Sequence, residues 1–355
     1  MEASNRTNFA SDEEKRQLAI AEAAMNFETT EFKGITIPSG FAPTRIEGES
    51  TVDEGLVIVD SKGNEFVWVE VPKVQEIYKK TEIGITEFTD DIYTKIEEDL
   101  QNYASFYRFS DPYNDTYYDA ITATEVEYNN LKQRFLRNVY ENGGFWIGRY
   151  EAGTSEFIED YSAISPNGTV TIASKANQYP LTNVTFVEAN QLAFNMYSNQ
   201  STSLMFGVQW DLTLKFIEEK QVKIHGESYR NTIRELLTTD SSNIGNYSNA
   251  VFTLNRGKYI QFNNYRPVND WKEYISNTIG VVEDNNKKAQ EATGYGIMCT
   301  TGASDNNCLQ NIYDLAGNVW EFTIERWAVR RGGSLTGTGA RSGELLASDI
   351  CKWQK

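Results

Sequence analysis

Residues 311–334 constrain the fold of this chain more than any other part of its sequence. They read N-I-Y-D-L-A-G-N-V-W-E-F-T, continue through a short connection and end in R-R-G-G-S. Glycine-containing turns bracket a strand-like run that carries aromatic side chains, and Asp314 and Glu321 lie seven residues apart. Glycine adopts backbone conformations that other residues avoid, so it marks tight turns. The pattern predicts a rigid frame for the residues that follow it.

Short runs of β-branched and aromatic residues precede this segment. Residues 55–71, G-L-V-I-V-D-S-K-G-N-E-F-V-W-V-E-V, predict a β-hairpin whose turn lies at 60–64. Residues 143–153, G-G-F-W-I-G-R-Y-E-A-G, predict a buried strand that closes on glycine. Residues 226–295 are polar and lack apolar periodicity, so we expect long surface loops with little regular structure there.

Four segments are predicted to contain helices, at 11–26, 124–142, from 184 onward and at 207–217, the last being a helix or a helix–turn. In the first, Leu18, Ala21 and Met25 are spaced as one apolar stripe. In the third, Thr185 and Glu188 have the spacing of a capping box. Strands and helices in this arrangement predict an α+β fold.

Charge and histidine content exclude several functions. The formal net charge is −17, which argues against binding to nucleic acid or to anionic lipid headgroups, because both need a cationic surface. The single histidine, His225, lies in a polar, turn-like context and is expected to be structural or exposed to solvent. One histidine also rules out multi-histidine metal sites.

The cysteines and the hydropathy leave two questions open. Cys299 and Cys308 could form a disulfide outside the cytosol or be two free thiols, and Cys351 would then be left over. The sequence has no apolar run of 18 residues, so membrane attachment is expected only through a segment absent from this chain.

The order of six motifs resembles that of the formylglycine-generating enzyme, or sulfatase-modifying factor, family. The motifs are F-V-W-V, G-G-F-W-I-G-R-Y-E-A-G, V-T-F-V-E-A-N-Q-L-A, G-V-Q-W-D, N-I-Y-D-L-A-G-N-V-W-E-F-T and R-G-G-S, and the resemblance covers roughly residues 35–345. It implies a C-type lectin-like fold with a small twisted antiparallel sheet, two flanking helices and long irregular loops. The implied domain is 31–355, preceded by an N-terminal helix at 1–30.

The resemblance also bears on catalysis. Oxidases of the family hold copper with two cysteines just after R-G-G-S, and the corresponding positions here are Gly337 and Ser342. Cu(I) prefers soft thiolate ligands, so no copper is expected at these positions. Iron-dependent members of the same fold need histidines. We therefore expect a protein that is not an enzyme; an oxidase of the family is the alternative.

Within the family, the chain is most like the variable proteins of diversity-generating retroelements, which use this fold to display a hypervariable ligand-binding site. The implied site lies at about 327–348, and the candidate residues are Trp327, Arg330, Leu335, Thr336, Thr338, Arg341, Ser342, Glu344 and Leu345. Two alternatives are an ordinary glycine- and serine-rich turn region and a carbohydrate-binding lectin. The chain lacks the closing G-F-R strand of these proteins.

The family resemblance further implies a structural calcium site. Its ligands would be the Asp314 side chain, the Gly317 and Val319 carbonyl oxygens and the Glu321 carboxylate; Ca²⁺ prefers such oxygen donors. In the alternative interpretation, Asp314 caps a turn and Glu321 pairs with an arginine such as Arg331. Trp320 is expected to pack in the core.

The N-terminal helix resembles the membrane-proximal part of pilin-like surface proteins. This likeness implies a protein at the cell surface of a bacterium or outside it, or one encoded by a phage. The expected partner is a protein or a glycan at a surface, with no nucleic acid involved.

Overall fold

The computed structural model describes residues 10–108, 117, 124–158, 170–197, 202–239, 244–246, 253–263, 266–267, 269–275, 296–319, 321–325 and 330–331. At 262, 263, 266, 296, 330 and 331 it describes the backbone only. Helices pack against small antiparallel sheets in this part of the chain, which confirms the α+β class. No helix among the described residues is long and apolar enough to cross a membrane.

A four-stranded antiparallel sheet forms the centre of the fold. After a hairpin of β1 (Thr30–Phe32) and β2 (Ile35–Ile37), its strands follow in the spatial order β3 (Phe41–Pro43), β4 (Val57–Asp60), β5 (Glu65–Glu70) and β6 (Gly144–Gly148). The predicted hairpin at 55–71 is confirmed as β4 and β5, with Val57 opposite Val67. Strand β6 confirms the strand predicted at 143–153 and pairs Trp146 with Trp68.

The two faces of this sheet have different neighbours because side chains alternate along a strand. Val57, Val67 and Val69 point into the main hydrophobic core with the helices. Trp68 and Trp146 lie on the opposite face, with ring centroids 5.0 Å apart. This second face borders the cavity described below.

Six helices occur among the described residues, where the family resemblance implied two flanking the sheet: α1 (Asp12–Met25), α2 (Asp90–Tyr103), α3 (Glu125–Asn142), α4 (Phe186–Met196), α5 (Gly207–His225) and α6 (Arg230–Thr238). The four predicted helices are confirmed as α1, α3, α4 and α5. The capping box of α4 is also confirmed, since Thr185 and Glu188 bond reciprocally. Helices α2 and α6 were not predicted.

The predicted apolar stripe on α1 was wrong. Leu18 and Met25 are 66% and 71% exposed, whereas Ala19 and Ala23 are buried against Ala42 and Val59 of the central sheet. Alanine has only a methyl group, so this face lets the helix backbone approach the strands closely. Spacing alone selected the larger side chains and therefore the wrong face.

The expectation of loops at 226–295 was also wrong in part. Besides α6, this range contains β9 (Lys258–Asn263), β10 (Arg266–Pro267) and β11 (Lys272–Glu273), and β12 (Gly296–Cys299) follows directly and pairs with β9. Tyr259 and Ile260 are both buried although they point to opposite faces. A strand covered on both faces lacks the alternation of apolar and polar residues by which it would be recognised.

Six short strands form three further pairs. They are β7 (Gly153–Thr154) with β8 (Tyr179–Pro180), β13 (Cys308–Leu309) with β14 (Ile312–Tyr313), and β15 (Glu321–Phe322) with β16 (Arg330–Arg331). The last three strands in sequence all come from residues 311–334. These residues are therefore built into the fold at several points along their length.

Candidate functional site

Asn311 fixes the beginning of the 311–334 segment. Its side-chain amide donates to the carbonyl oxygens of Gly48, Glu54 and Gly55 at 2.6, 3.0 and 2.9 Å. Its Oδ1 accepts a bond from Arg149 Nη2 at 3.2 Å. The φ angle of Asn311 is +61°, a left-handed conformation that asparagine tolerates better than most residues. Asn311 thereby ties the segment to the loop before β4.

Arg149 follows β6 and lies at the centre of a buried ionic network. Its Nη1 contacts Glu49 Oε1 and Glu65 Oε2, both at 2.7 Å. Arg16 of α1 contacts the same two carboxylates at 2.8 Å. The Arg149 backbone carbonyl accepts from the amide of Tyr313 at 2.8 Å. One buried cluster thus joins α1, the central sheet and strand β14.

The turn at 314–318 is held by β12. Asn318 Oδ1 accepts from the Cys299 amide at 2.9 Å, and Asn318 Nδ2 donates to the Cys299 carbonyl at 3.1 Å and to the Glu151 carboxylate. Asp314 Oδ2 accepts from the Gly302 amide at 2.6 Å. Asp314, Gly317 and Asn318 all have positive φ angles. The turn is therefore narrow, and its polar side chains point inward to protein partners.

Gly317→Ala is expected to lower the free energy of unfolding by about 2–5 kcal/mol. The left-handed backbone costs about 1–2 kcal/mol for any residue with a Cβ, and overpacking adds about 1–3 kcal/mol. The added Cβ would lie about 2.5 Å from backbone C and N of Asn246, which cannot move aside as a flexible side chain could. Urea unfolding measures the loss.

Gly34→Ala is the matched control. Gly34 has nearly the same φ angle, +80° against +76° for Gly317, but an added Cβ there meets no atom within 4 Å. It should therefore show only the conformational cost of about 1–2 kcal/mol. Equal losses in the two variants would contradict the close packing of Gly317 on Asn246.

Three acidic side chains, Glu151, Asp314 and Glu321, form what we call the acidic cluster. Glu151 and Asp314 are 5% and 3% exposed. Neither Glu151 Oε2 nor Glu321 Oε2 has a hydrogen-bond partner among the described residues. A buried carboxylate without a partner is costly, so an ionised cluster needs compensating positive charge.

The pKa values of the three carboxyl groups reflect the same lack of compensating positive charge. Burial raises the pKa of Asp314 to about 7. Burial and the nearby Asp314 raise the pKa of Glu321 to about 8. The pKa of Glu151 is also raised, mainly by burial and then by repulsion from Asp314 and Glu321. The ionised forms of all three carboxyl groups are therefore disfavoured in the folded protein.

The predicted calcium ligands suit a hard cation. Among the described residues, no backbone amide donates to the carbonyl oxygen of Gly317 or Val319. These oxygens and the carboxylates of Asp314 and Glu321 make a mixed set of the kind Ca²⁺ takes. No group of three or more His, Cys, Asp or Glu side chains in the described ranges is placed to hold a metal ion. The predicted calcium ligands are two carboxylate side chains and two backbone carbonyl oxygens, so they do not form a group of that kind.

The alternative partner of Glu321 has a place in the structure too. Arg331 stands directly opposite Glu321 in the pairing of β15 with β16. The side chain of Arg331 lies outside the described residues, so their ion pair stays a prediction. The alternative interpretation also has Asp314 capping a turn. Asp314 does accept a hydrogen bond from the Gly302 amide, as a turn-capping residue would.

Residues 321–325 are anchored on the start of α5. Thr323 forms a parallel bridge with Met205, and the Ile324 amide donates to the Met205 carbonyl at 3.0 Å. The Ile324 side chain is fully buried in the main core. The Glu325 carboxylate accepts from the amide of Gly207, the first residue of α5. A carboxylate at a helix N-terminus is favoured by the free amides and the helix dipole.

The predicted ligand-binding residues begin where this anchor ends. Phe322 pairs with Arg330 in β15 and β16, so the backbone of Arg330 is fixed beside the anchored strand. The other candidates lie outside the described residues: Trp327, Leu335, Thr336, Thr338, Arg341, Ser342, Glu344 and Leu345. Trp320, predicted to lie in the core, is outside them as well.

Sequence reasoning missed Glu151, Asn318 and Glu325. Glu151 stands in the motif R-Y-E and Asn318 in G-N-V, so both were in recognised motifs without an assigned partner. Glu151 accepts a hydrogen bond from Asn318, and Asn318 also bonds to Cys299, so the partners are distant from one another in sequence. Only the fold brings them together.

The remaining candidate residues have structural roles. His225 is exposed at the end of α5 and contacts the ring of Tyr229, as expected. Cys299 and Cys308 are both free thiols. Burial, together with the neighbouring Asp314 and Glu151, raises the pKa of Cys299, which keeps it as an unreactive thiol.

Comparison of the chain with protein-family models, with curated proteins and with solved structures gives no match.

Proposed function

We propose that this protein is a non-catalytic ligand-binding protein, a variable protein of the diversity-generating retroelement type. Its fold would be the C-type lectin-like fold of the formylglycine-generating enzyme family, and its binding site residues 327–348. The observation that carries the proposal is the anchored pair of β15 and β16. Rigid elements hold both ends of the 323–329 connection, and binding proteins place variable residues on such supports.

The composition of the proposed site supports binding over catalysis. Serine, threonine and glycine offer adaptable hydrogen bonds, while Trp327 and Arg341 are of the types that dominate binding energy at interfaces. Gly337 and Ser342 stand where the oxidases of the family have cysteines. The expected partner is a protein or glycan at a bacterial surface, where this protein itself would be located.

A bound Ca²⁺ would stiffen the frame of this site. Asp314, Glu321 and the carbonyl oxygens of Gly317 and Val319 would hold it, and its charge would satisfy the unpartnered oxygen of Glu321. The role is structural: the ion fixes the turn that precedes β15. No copper is part of this proposal.

A substitution library tests the proposed site. We expect that the candidate residues Leu335, Thr336, Thr338, Arg341, Ser342, Glu344 and Leu345 can be randomised with changes within about 0.5 kcal/mol in most variants, because surface substitutions are usually of that size. Sorting of displayed variants by resistance to protease measures the folded fraction. The same library, panned against a surface protein or glycan array, should yield binders of differing specificity.

Ile324 supplies the matched control, because it is fully buried and lies two residues after the end of β15. Its replacement by alanine should cost about 2–5 kcal/mol. Equal intolerance at Ile324 and at the seven randomised positions would contradict a display role. So would oxygen consumption by the purified protein with copper and a cysteine-containing peptide, since that is the activity of the oxidases.

A further inference from the structure

A cavity of about 740 Å³ lies between the tryptophan-bearing face of the central sheet, helix α4 and residues 202–206. We call it the aromatic cavity. Typical small-molecule sites enclose about 300–1,000 Å³ and are lined mainly by apolar and aromatic side chains, so this cavity has the size of a ligand site. Its wall includes Phe66, Trp68, Trp146, Tyr197, Leu204 and Phe206.

Trp68 belongs to this wall and has a buried hydrogen-bond donor without a partner. Its side chain is 2% exposed, and Nε1 has no hydrogen-bond partner among the described residues. An added Cβ at Gly144 would lie 2.6 Å from a ring carbon of Trp68, so the indole is packed directly on the backbone of β6. Leaving such a buried donor unsatisfied is unfavourable. The indole is fixed in place, and its N–H needs an acceptor.

Thr182 is a second residue of the same wall with a buried hydrogen-bonding group that has no partner. It is 4% exposed and lines the cavity, and its hydroxyl has no partner in the described part of the chain. The walls are otherwise largely apolar, which penalises a fully charged ligand. Charged groups of both signs lie in the lining, Glu151 and Glu321 as well as Arg134 and Arg137, so the lining does not favour a ligand of either charge.

We propose that the aromatic cavity binds a small neutral molecule that has a ring and a hydrogen-bond acceptor. The ring would pack among the aromatic side chains, and the acceptor oxygen would take the N–H of Trp68. Trp68 and Thr182, which supply the unpartnered groups, are not among residues 327–348. The aromatic cavity would give the protein a constant small-molecule ligand beside its variable one.

Two probes of nearly equal shape test the proposal, 2-acetylnaphthalene, which has a carbonyl acceptor, and 2-ethylnaphthalene, which has none. Calorimetric titrations with Ca²⁺ present throughout would give the two dissociation constants. We expect the ketone to bind about tenfold more tightly, since a hydrogen bond contributes about 1 kcal/mol or somewhat more and 1.4 kcal/mol is tenfold. Equal affinities, or no binding of either probe, would overturn the proposal.

Trp68→Phe should abolish the tenfold preference, because phenylalanine retains an aromatic ring and lacks the N–H. Trp146→Phe is its matched control: this ring lines the same cavity and pairs with Trp68 across the sheet. The preference should survive there, and its loss in both variants would show that the N–H of Trp68 is not the group recognised.

Ser203→Phe checks that the probes occupy the cavity. Ser203 lines it and is only partly buried, so a larger side chain there fills space with little risk to folding. The affinity for both probes should fall at least tenfold. Unchanged affinities in the folded variant would place the probes elsewhere and refute the proposal, even if Trp68→Phe could not be purified.

Discussion

Arg149→Met is expected to lower the free energy of unfolding by about 3–5 kcal/mol, because removing one partner of a buried ion pair leaves the other charge uncompensated. Arg149 is 5% exposed, and Glu49 and Glu65 at 2.7 Å are 6% exposed each. Arg16 alone would then face both carboxylates. Urea unfolding of the purified variant measures the effect.

The loss should also reach residues 311–334. The side chain of Arg149 donates to Asn311, and the variant loses this bond, so it should show faster amide exchange in this segment than in α3. Arg45→Met is the control, since Arg45 and Glu22 form a pair whose side chains are about half exposed. Exposed pairs contribute about 0–1 kcal/mol. If Arg149→Met also lost only about 0–1 kcal/mol, that result would contradict a structural role for the network.

Helices and hairpins were predictable from the sequence where a cap or a turn within the element marks them. Ser11, Thr124 and Thr185 each precede a helix, and each forms a capping box with the glutamate three residues later. The hairpin at 55–71 combines β-branched runs with a glycine turn, and that pattern is equally local. Such elements need no knowledge of the rest of the chain.

The prediction failed where burial depends on distant residues. Nothing local distinguishes Ala19 and Ala23 from Leu18 and Met25 as the buried face of α1, because the shape of the sheet decides it. Strand β9 was missed because β12 pairs with it and both its faces are covered. Tertiary packing overrides spacing in both cases.

The candidate site was predictable only along one segment. Asp314 and Glu321 were found from their motif, and the structure places both near Glu151, which the motif does not assign to them. The anchoring of Glu325 on α5 links residues more than a hundred positions apart. Sequence therefore indicated the frame, and the fold supplies the contacts that fix it.

The acidic cluster should make stability depend on pH when no divalent cation is present. Asp314 and Glu321 have folded-state pKa values of about 7 and about 8, raised from 3.8 and 4.5. The unfolded chain thus loses these protons at lower pH than the folded chain does. A raised carboxyl pKa lowers stability as pH rises from about 4 to about 8.

The loss of stability from about pH 4 to about pH 8 is expected to be large when EGTA keeps the protein free of divalent cations. One pKa unit corresponds to about 1.4 kcal/mol, so even one unit of the shift at each of the two groups gives about 3 kcal/mol. At about 2–4 °C per kcal/mol, the melting temperature should fall by about 6–12 °C across this range. Asp314→Asn should reduce the fall, because the amide stays neutral at every pH. A melting temperature independent of pH in both proteins would contradict the raised pKa values.

The most direct test of the calcium-held frame is thermal unfolding with Ca²⁺ and with EGTA at pH 5.5 and pH 8.5. Ca²⁺ at 100 times its dissociation constant should stabilise the folded state by about 2.7 kcal/mol. The stabilisation should be larger at pH 8.5, where the carboxyl groups are ionised, and smaller in Asp314→Asn, because asparagine keeps an oxygen ligand but loses the negative charge. Arg331→Gln should leave the stabilisation intact. Equal melting temperatures with Ca²⁺ and with EGTA at pH 8.5 would contradict the account and favour pairing of Glu321 with Arg331.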